Sequence, residues 1–235
     1  MSKISENLEK VKNNIQKACD KAKRSSSEIT LVVVTKSTNL DGIKQVIKLG
    51  CSQLGENRVQ YLKIVFDDLA PFLNENPQLP EINWHMIGHL QRNKVRQLLQ
   101  MSRFIHSVDT LRLAEEISKN AAKLNICPEI LIQVNCSEEP QKYGVSVGAA
   151  IHLAEQIATM PNIKLSGLMT MAPLTLNRDV IKASFSRAKE LFEEIQGEKI
   201  AGAGFRHLSM GMSNDYEIAI EYGATILRIG SAVFA

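Results

Sequence analysis

Short apolar runs alternate with longer stretches of helical periodicity from one end of the chain to the other. Leu31-Val32-Val33-Val34-Thr35 is β-branched, short and uninterrupted, the pattern of a strand buried on both faces. Ile4, Leu8, Val11 and Ile15 recur at helical spacing and predict an opening helix over 3–24. The same reading gives strands at 30–35, 53–56, 84–88, 104–108, 130–135, 165–170, 207–210 and 225–229. Helices at 41–49, 58–70, 94–101, 109–124, 146–160, 178–196 and 215–222 separate them, with Asp41 and Asp109 as N-caps and Gly50 as a stop. Residues 71–83, PFLNENPQLPEIN, are rich in Pro and Asn and read as a surface loop.

Strands separated by helices imply parallel pairing through right-handed crossovers, hence the α/β class. Eight such units predict a single (β/α)8 TIM barrel carrying an extra N-terminal helix, with a doubly wound open sheet as the alternative. No break in composition marks a second domain, so 1–235 reads as one barrel domain. The net charge of +3, the lack of a Lys/Arg block and 5% aromatics argue against a nucleic-acid partner. Cys19, Cys51, Cys127 and Cys136 are scattered without a CxxC pair, as in a reduced cytosolic protein, and no Cys/His spacing suits a metal. The polar, amphipathic start lacks a signal-peptide core, and no stretch approaches the ~20 apolar residues of a membrane span. The expectation is a cytoplasmic protein with no membrane partner.

Candidate chemistry collects after the predicted strands, at the rim where barrel enzymes keep their sites. The first strand ends in Lys36. A partly buried ammonium there loses hydration, and its neutral amine can form a Schiff base with an aldehyde. The alternative is a lysine that merely leaves the core. Ser209-Met210-Gly211-Met212-Ser213 and Gly230-Ser231 follow the seventh and eighth strands, where this architecture holds phosphate; small residues at tight turns are the other reading. Arg228 interrupts the apolar strand Thr225-Ile226-Leu227-Arg228-Ile229. A buried guanidinium needs an acceptor, either an internal carboxylate or the ring nitrogen of a pyridine cofactor. An aldehyde-reactive lysine, a phosphate cradle and a ring-nitrogen partner together describe a pyridoxal 5′-phosphate (PLP) site.

At these residues the chain resembles the pyridoxal phosphate homeostasis proteins, single-domain relatives of the alanine racemase N-terminal barrel. The stretches that carry the likeness are Val33-Val34-Thr35-Lys36, Leu54-Gly55-Glu56-Asn57, His85 through Lys94, Gly167-Leu168-Met169-Thr170-Met171, Leu208 through Asp215 and Leu227-Arg228-Ile229-Gly230. The resemblance implies PLP held on Lys36 as an internal aldimine, with Asn57 near the ring and Arg228 at the ring nitrogen. It implies Ser209, Gly230 and Ser231 on the phosphate, together with the Met210 and Gly211 backbone, and Met169 and His207 on the pocket wall. Lys142, in the loop after the fifth strand, is by the same likeness a phosphate contact or second aldehyde acceptor; an exposed loop lysine is the alternative. The basic segment 88–94 reads as a partner or anion surface, or as a solvated helix end. Two departures stand out: Ser37-Thr38 occurs where many members carry a second lysine, and the chain stops at Ala235 where relatives continue.

Two function classes compete. One is a carrier that keeps PLP in balance without turnover, with PLP-dependent apo-enzymes as acceptors; the other is an amino-acid racemase. Racemisation needs acid–base groups on both faces of the reacting carbon. In two-domain racemases a tyrosine of an extra domain supplies the second group, and this chain has no room for that domain. The missing domain also favours a monomer. An arginine at the ring nitrogen weakens the ring as an electron sink, which points to the carrier.

Overall fold

The computed structural model describes residues 2–235. Its eight strands are β1 (Thr30–Val34), β2 (Gln53–Glu56), β3 (Asn83–Met86), β4 (Phe104–Val108), β5 (Glu129–Gln133), β6 (Lys164–Met169), β7 (His207–Ser209) and β8 (Ile226–Ile229). They pair in parallel in chain order and close, β8 bonding back to β1 through Thr30↔Ile226 and Val32↔Arg228. The closed (β/α)8 barrel is therefore realised and the open sheet is not. The helices are α1 (Lys3–Lys21), α2 (Leu40–Lys48), α3 (Val59–Glu75), α4 (Val95–Leu98), α5 (Leu111–Leu124), α6 (Val147–Ala158), α7 (Arg178–Gly197), α8 (Tyr216–Glu221) and α9 (Ser231–Phe234). No described helix is long and apolar enough to cross a membrane.

Side-chain alternation on each strand divides the core in two. Val33, Leu54, Trp84, Met86, Ile105, Ile130, Ile132, Leu168, Leu208, Leu227 and Ile229 point outward and pack on the helices. Val32, Leu131, Met169 and Ile226, joined by Phe104 and Met171, form a separate cluster inside the barrel. Many of the other inward positions hold polar groups, among them Gln53, His85, His106, His207, Ser209 and Arg228, unlike the branched apolar filling usual in such barrels.

Several boundaries differ from the sequence reading by a few residues, and four differences have a visible cause or consequence. Helix α3 continues through Pro71 to Glu75, because Leu62, Val65, Leu69, Phe72 and Leu73 keep one apolar stripe on the core beyond the proline. Asn39, not Asp41, caps α2, accepting from the Gly42 amide at 2.9 Å. Thr110, not Asp109, caps α5, which frees Asp109 to face His89 at 3.8 Å. The last strand runs at once into the one-turn helix α9. Opening helix α1, capped by Ser2, buries Leu8, Val11, Ile15, Ala18 and Cys19 and lies against α2, α8 and α9.

Candidate functional site

The carboxyl ends of β1, β2, β6, β7 and β8 bring most of the candidate residues to one side of the barrel mouth. Thr35, just past β1, is buried; its amide donates to Gly55 O at 3.0 Å and its hydroxyl donates to Glu56 Oε1. The Asn57 amide donates to the other oxygen of Glu56 at 3.3 Å. Burial raises the Glu56 carboxyl, while these two donors and the charge of Lys36 pull it back. This clamp fixes the turn that carries Lys36. Lys36 itself is exposed, not partly buried, because β1 stops at Val34 and the chain turns immediately. Asn57 is half-buried, and Gly88 presses on it: a Cβ at Gly88 would lie 2.3 Å from Asn57 O.

Arg228 points into the barrel from β8 and is 4% exposed. One terminal nitrogen donates to Ser209 Oγ at 2.6 Å and the other to Thr170 O at 2.9 Å. Burial presses its pKa down to about 10, against the opposing pull of Asp215. Among the described residues it makes no ion pair, so the internal-carboxylate alternative is not realised as a direct contact, Asp215 acting only at longer range, and its remaining N–H groups have no protein partner. Desolvation raises the Asp215 carboxyl, which accepts from the Met212 amide at 2.5 Å and shapes the loop after β7.

That loop and the one after β8 are bonded to each other. The Arg228 amide donates to Gly211 O at 3.0 Å and the Ala232 amide to Ser213 Oγ at 3.2 Å. Gly211 adopts φ 95°, and a Cβ there would come 2.7 Å from Ala219 Cβ, so only glycine lets the loop lie this close to α8. Among the described residues the Gly211, Gly230 and Ser231 amides make no hydrogen bond. Three undirected N–H groups on adjacent tight turns suit an anion. Met210 contributes less than its neighbours: its side chain is in the outer core and its amide is committed to Ile226 O at 3.1 Å.

Two other candidates are placed differently from the expectation. Ser209 is fully buried; its hydroxyl accepts from Arg228 and faces His106 Nδ1, so it serves the guanidinium. His207 opens β7 instead of ending it and lies at the amino end of the barrel, edge-on to Phe104 and 3.9 Å from Glu129 Oε2. The structure thus separates it from the rim. Met169 ends β6 level with Ser209, inside the barrel and buried.

Several members of the site escape the sequence reading. His106 Nδ1 lies 2.9 Å from Ser209 Oγ, His85 Nδ1 lies 2.9 Å from His106 Nε2, and Gln53 Oε1 lies 2.8 Å from His85 Nε2. Burial drives His85 down to about 3 and His106 well below its usual range, so both are neutral. The signal available was a histidine inside an apolar strand, Phe104-Ile105-His106-Ser107-Val108. The loop after β5 crosses the mouth. Tyr143 stacks on His89 with ring centroids 4.2 Å apart, and Lys142 Nζ donates to Ala172 O at 2.9 Å while pairing with Glu139. The Lys142 side chain is only 20% exposed, so the exposed loop lysine is corrected to a tethered one. No group of three described His, Cys, Asp or Glu residues is arranged for a metal ion.

The sequence profile described as "Alanine racemase, N-terminal domain" matches residues 7–235. A "Pyridoxal phosphate homeostasis protein" of Aquifex aeolicus is 39% identical over 229 residues, 97% of this chain and 96% of that one. The chain belongs to the pyridoxal phosphate homeostasis protein family. Among solved structures, an unknown protein from Bifidobacterium adolescentis matches with TM-score 0.93 and 33% identity, over 99% of this chain and 94% of that one. PipY of Synechococcus elongatus, in a structure with PLP bound, matches with TM-score 0.81 and 29% identity, over 94% of this chain and all of that one. These matches fit the family expected from the rim motifs and leave the role of each residue to the geometry.

Proposed function

We propose that this chain binds PLP at the carboxyl rim and acts in PLP homeostasis, holding the cofactor without turning substrate over. One observation carries the reading: Arg228 is buried and charged, makes no direct ion pair among the described residues, and has an edge left for a ring nitrogen, on the strand that pairs with the one leading to Lys36. Lys36 Nζ would hold the aldehyde carbon covalently, the Gly211, Gly230 and Ser231 amides the phosphate, and Asn57 the ring. PLP supplies an electron sink for amino-acid chemistry when bound. Arg228 works against that use, because a guanidinium facing the ring nitrogen disfavours its protonation. A homeostatic role is supported by the names of the relatives, and cofactor binding by the PLP-bound PipY structure. PLP-dependent apo-enzymes are the acceptors this reading calls for, and the cytoplasm is the compartment that suits it.

The test is an absorption spectrum on adding PLP, followed by borohydride reduction and peptide mapping. Label fixed on Lys36 supports the site; a labelled protein with Lys36 unmodified refutes it. A racemase reading has one observation in its favour. Tyr143 stands at the rim, whereas the Tyr61 hydroxyl donates to Thr38 O at 3.1 Å and Tyr216 is engaged by Asn14 at 3.2 Å. Racemisation of alanine by the PLP-loaded chain that disappears in Tyr143→Phe would establish that reading over the carrier.

A further inference from the structure

The buried histidines deepen the proposed PLP site, and the inference rests on that reading. Arginine only donates, so Ser209 Oγ accepts from Arg228 at 2.6 Å and its own proton must go elsewhere. The nearest acceptor is His106 Nδ1 at 2.9 Å. If Nδ1 accepts, the neutral ring carries its proton on Nε2, which then donates to His85 Nδ1 at 2.9 Å. His85 in turn carries its proton on Nε2, 2.8 Å from the carbonyl oxygen of Gln53. Each link then has one donor and one acceptor, and every bond from the serine onward points away from Arg228.

We propose that His106 is a positioning residue for the ring-nitrogen end of the site, with His85 and Gln53 fixing its tautomer. The tautomer decides where the Ser209 proton goes. With Nδ1 bare, the proton is drawn down to His106 and Ser209 offers only lone pairs to Arg228. With a proton on Nδ1, Ser209 would accept from both neighbours and its own proton would turn toward the cofactor. The relay therefore dedicates Ser209 to holding the guanidinium against Thr170 O, with its free edge toward the ring. Both rings are buried, His85 at 2% and His106 at 0% exposed, so neither role can pass to water.

The first test needs no cofactor. Imidazole ¹⁵N NMR of the PLP-free protein should show His85 and His106 as neutral Nε2–H tautomers that do not titrate between about pH 5.5 and 8. An Nδ1–H tautomer on His106, or titration in that window, overturns the inference. The second test compares His106→Leu with His106→Asn, whose amide oxygen can take the place of Nδ1 as acceptor. His106→Leu should bind PLP about tenfold more weakly with a shifted absorption band, and His106→Asn should recover most of both. Equal behaviour of wild type and His106→Leu overturns the positioning role. If His106→Leu does not fold, the NMR result on the wild type still decides. If the wild type fixes no PLP while the tautomers are as stated, the cofactor reading fails and the relay remains.

Discussion

Gly88→Ala adds one methyl group behind Asn57, where no flexible side chain can give way. The new Cβ would stand 2.3 Å from Asn57 O and 2.7 Å from both Asn57 Cα and Cβ, against an ordinary contact of 3.4 Å or more. Backbone therefore has to move by about 1 Å, the typical origin of overpacking costs near 2 kcal/mol. For a chain of this length that is a fall in Tm of roughly 6 °C. The displaced Asn57 amide is bonded to Glu56, which accepts from Thr35 beside Lys36, so the strain reaches the turn that presents the amine. PLP titration followed by absorbance should show at least tenfold weaker binding alongside the lower melt. Gly148→Ala is the matched control: it lies in α6, is exposed, and a Cβ there meets nothing within 4 Å, so the gain in helix propensity should stabilise by about 0.5–1 kcal/mol. A Gly88→Ala protein that melts with the wild type and binds PLP equally well would refute the claim that this contact places the site.

Lys36→Ala should melt with the wild type, since the side chain is exposed, and lose all borohydride-fixable PLP; retained covalent label would show another amine at work. Arg228→Glu reverses the charge that would face the ring nitrogen and should shift the bound-cofactor band and its affinity; an unchanged spectrum and Kd would mean that Arg228 serves the fold alone. His85 has its pKa depressed to about 3 from 6.5, and His106 is depressed likewise, so the unfolded chain binds the extra protons first as pH falls. Their contribution is present above pH 6.5 and drains away below it, about 1 kcal/mol for His85 by pH 5.5, with His106 acting in the same direction. Urea denaturation at pH 7 and 5.5 measures this, and equal stabilities would contradict a neutral buried pair. Cys127 is exposed while Cys19, Cys51 and Cys136 are buried, so a maleimide should add once to the native protein; rapid multiple labelling would contradict the packing.

The barrel was legible because its strands are short apolar runs with the Leu31–Thr35 pattern, and because helical periodicity separates them. The misses are local. Pro71 looks like an end until the apolar stripe on both sides of it is counted as one surface. Asp41 and Asp109 are good caps by type, but Asn39 and Thr110 hold the half-turn geometry that a cap needs. Within the site, Arg228 was conspicuous because a permanent charge inside an apolar strand demands an explanation. His106 sits in an equally apolar strand, yet a neutral imidazole makes no such demand and passes as core. His207 was assigned to the correct face but the wrong depth: alternation tells inside from outside, and only the register Gly167↔His207 shows that it lies at the amino end. Ser209 was read as a phosphate contact, and its partner His106 could be named only once β4 and β7 were seen to face each other across the interior.

Closure of the barrel through Val32↔Arg228 has a consequence for how the molecule comes into being. The lysine that would take the aldehyde follows the first strand and the arginine that would face the ring lies in the last, so the two halves of the pocket leave the ribosome far apart in time. No fragment that stops short of β8 contains both. A cofactor held between them would stabilise only states in which the last strand has closed on the first, and intermediates that precede closure would compete without it.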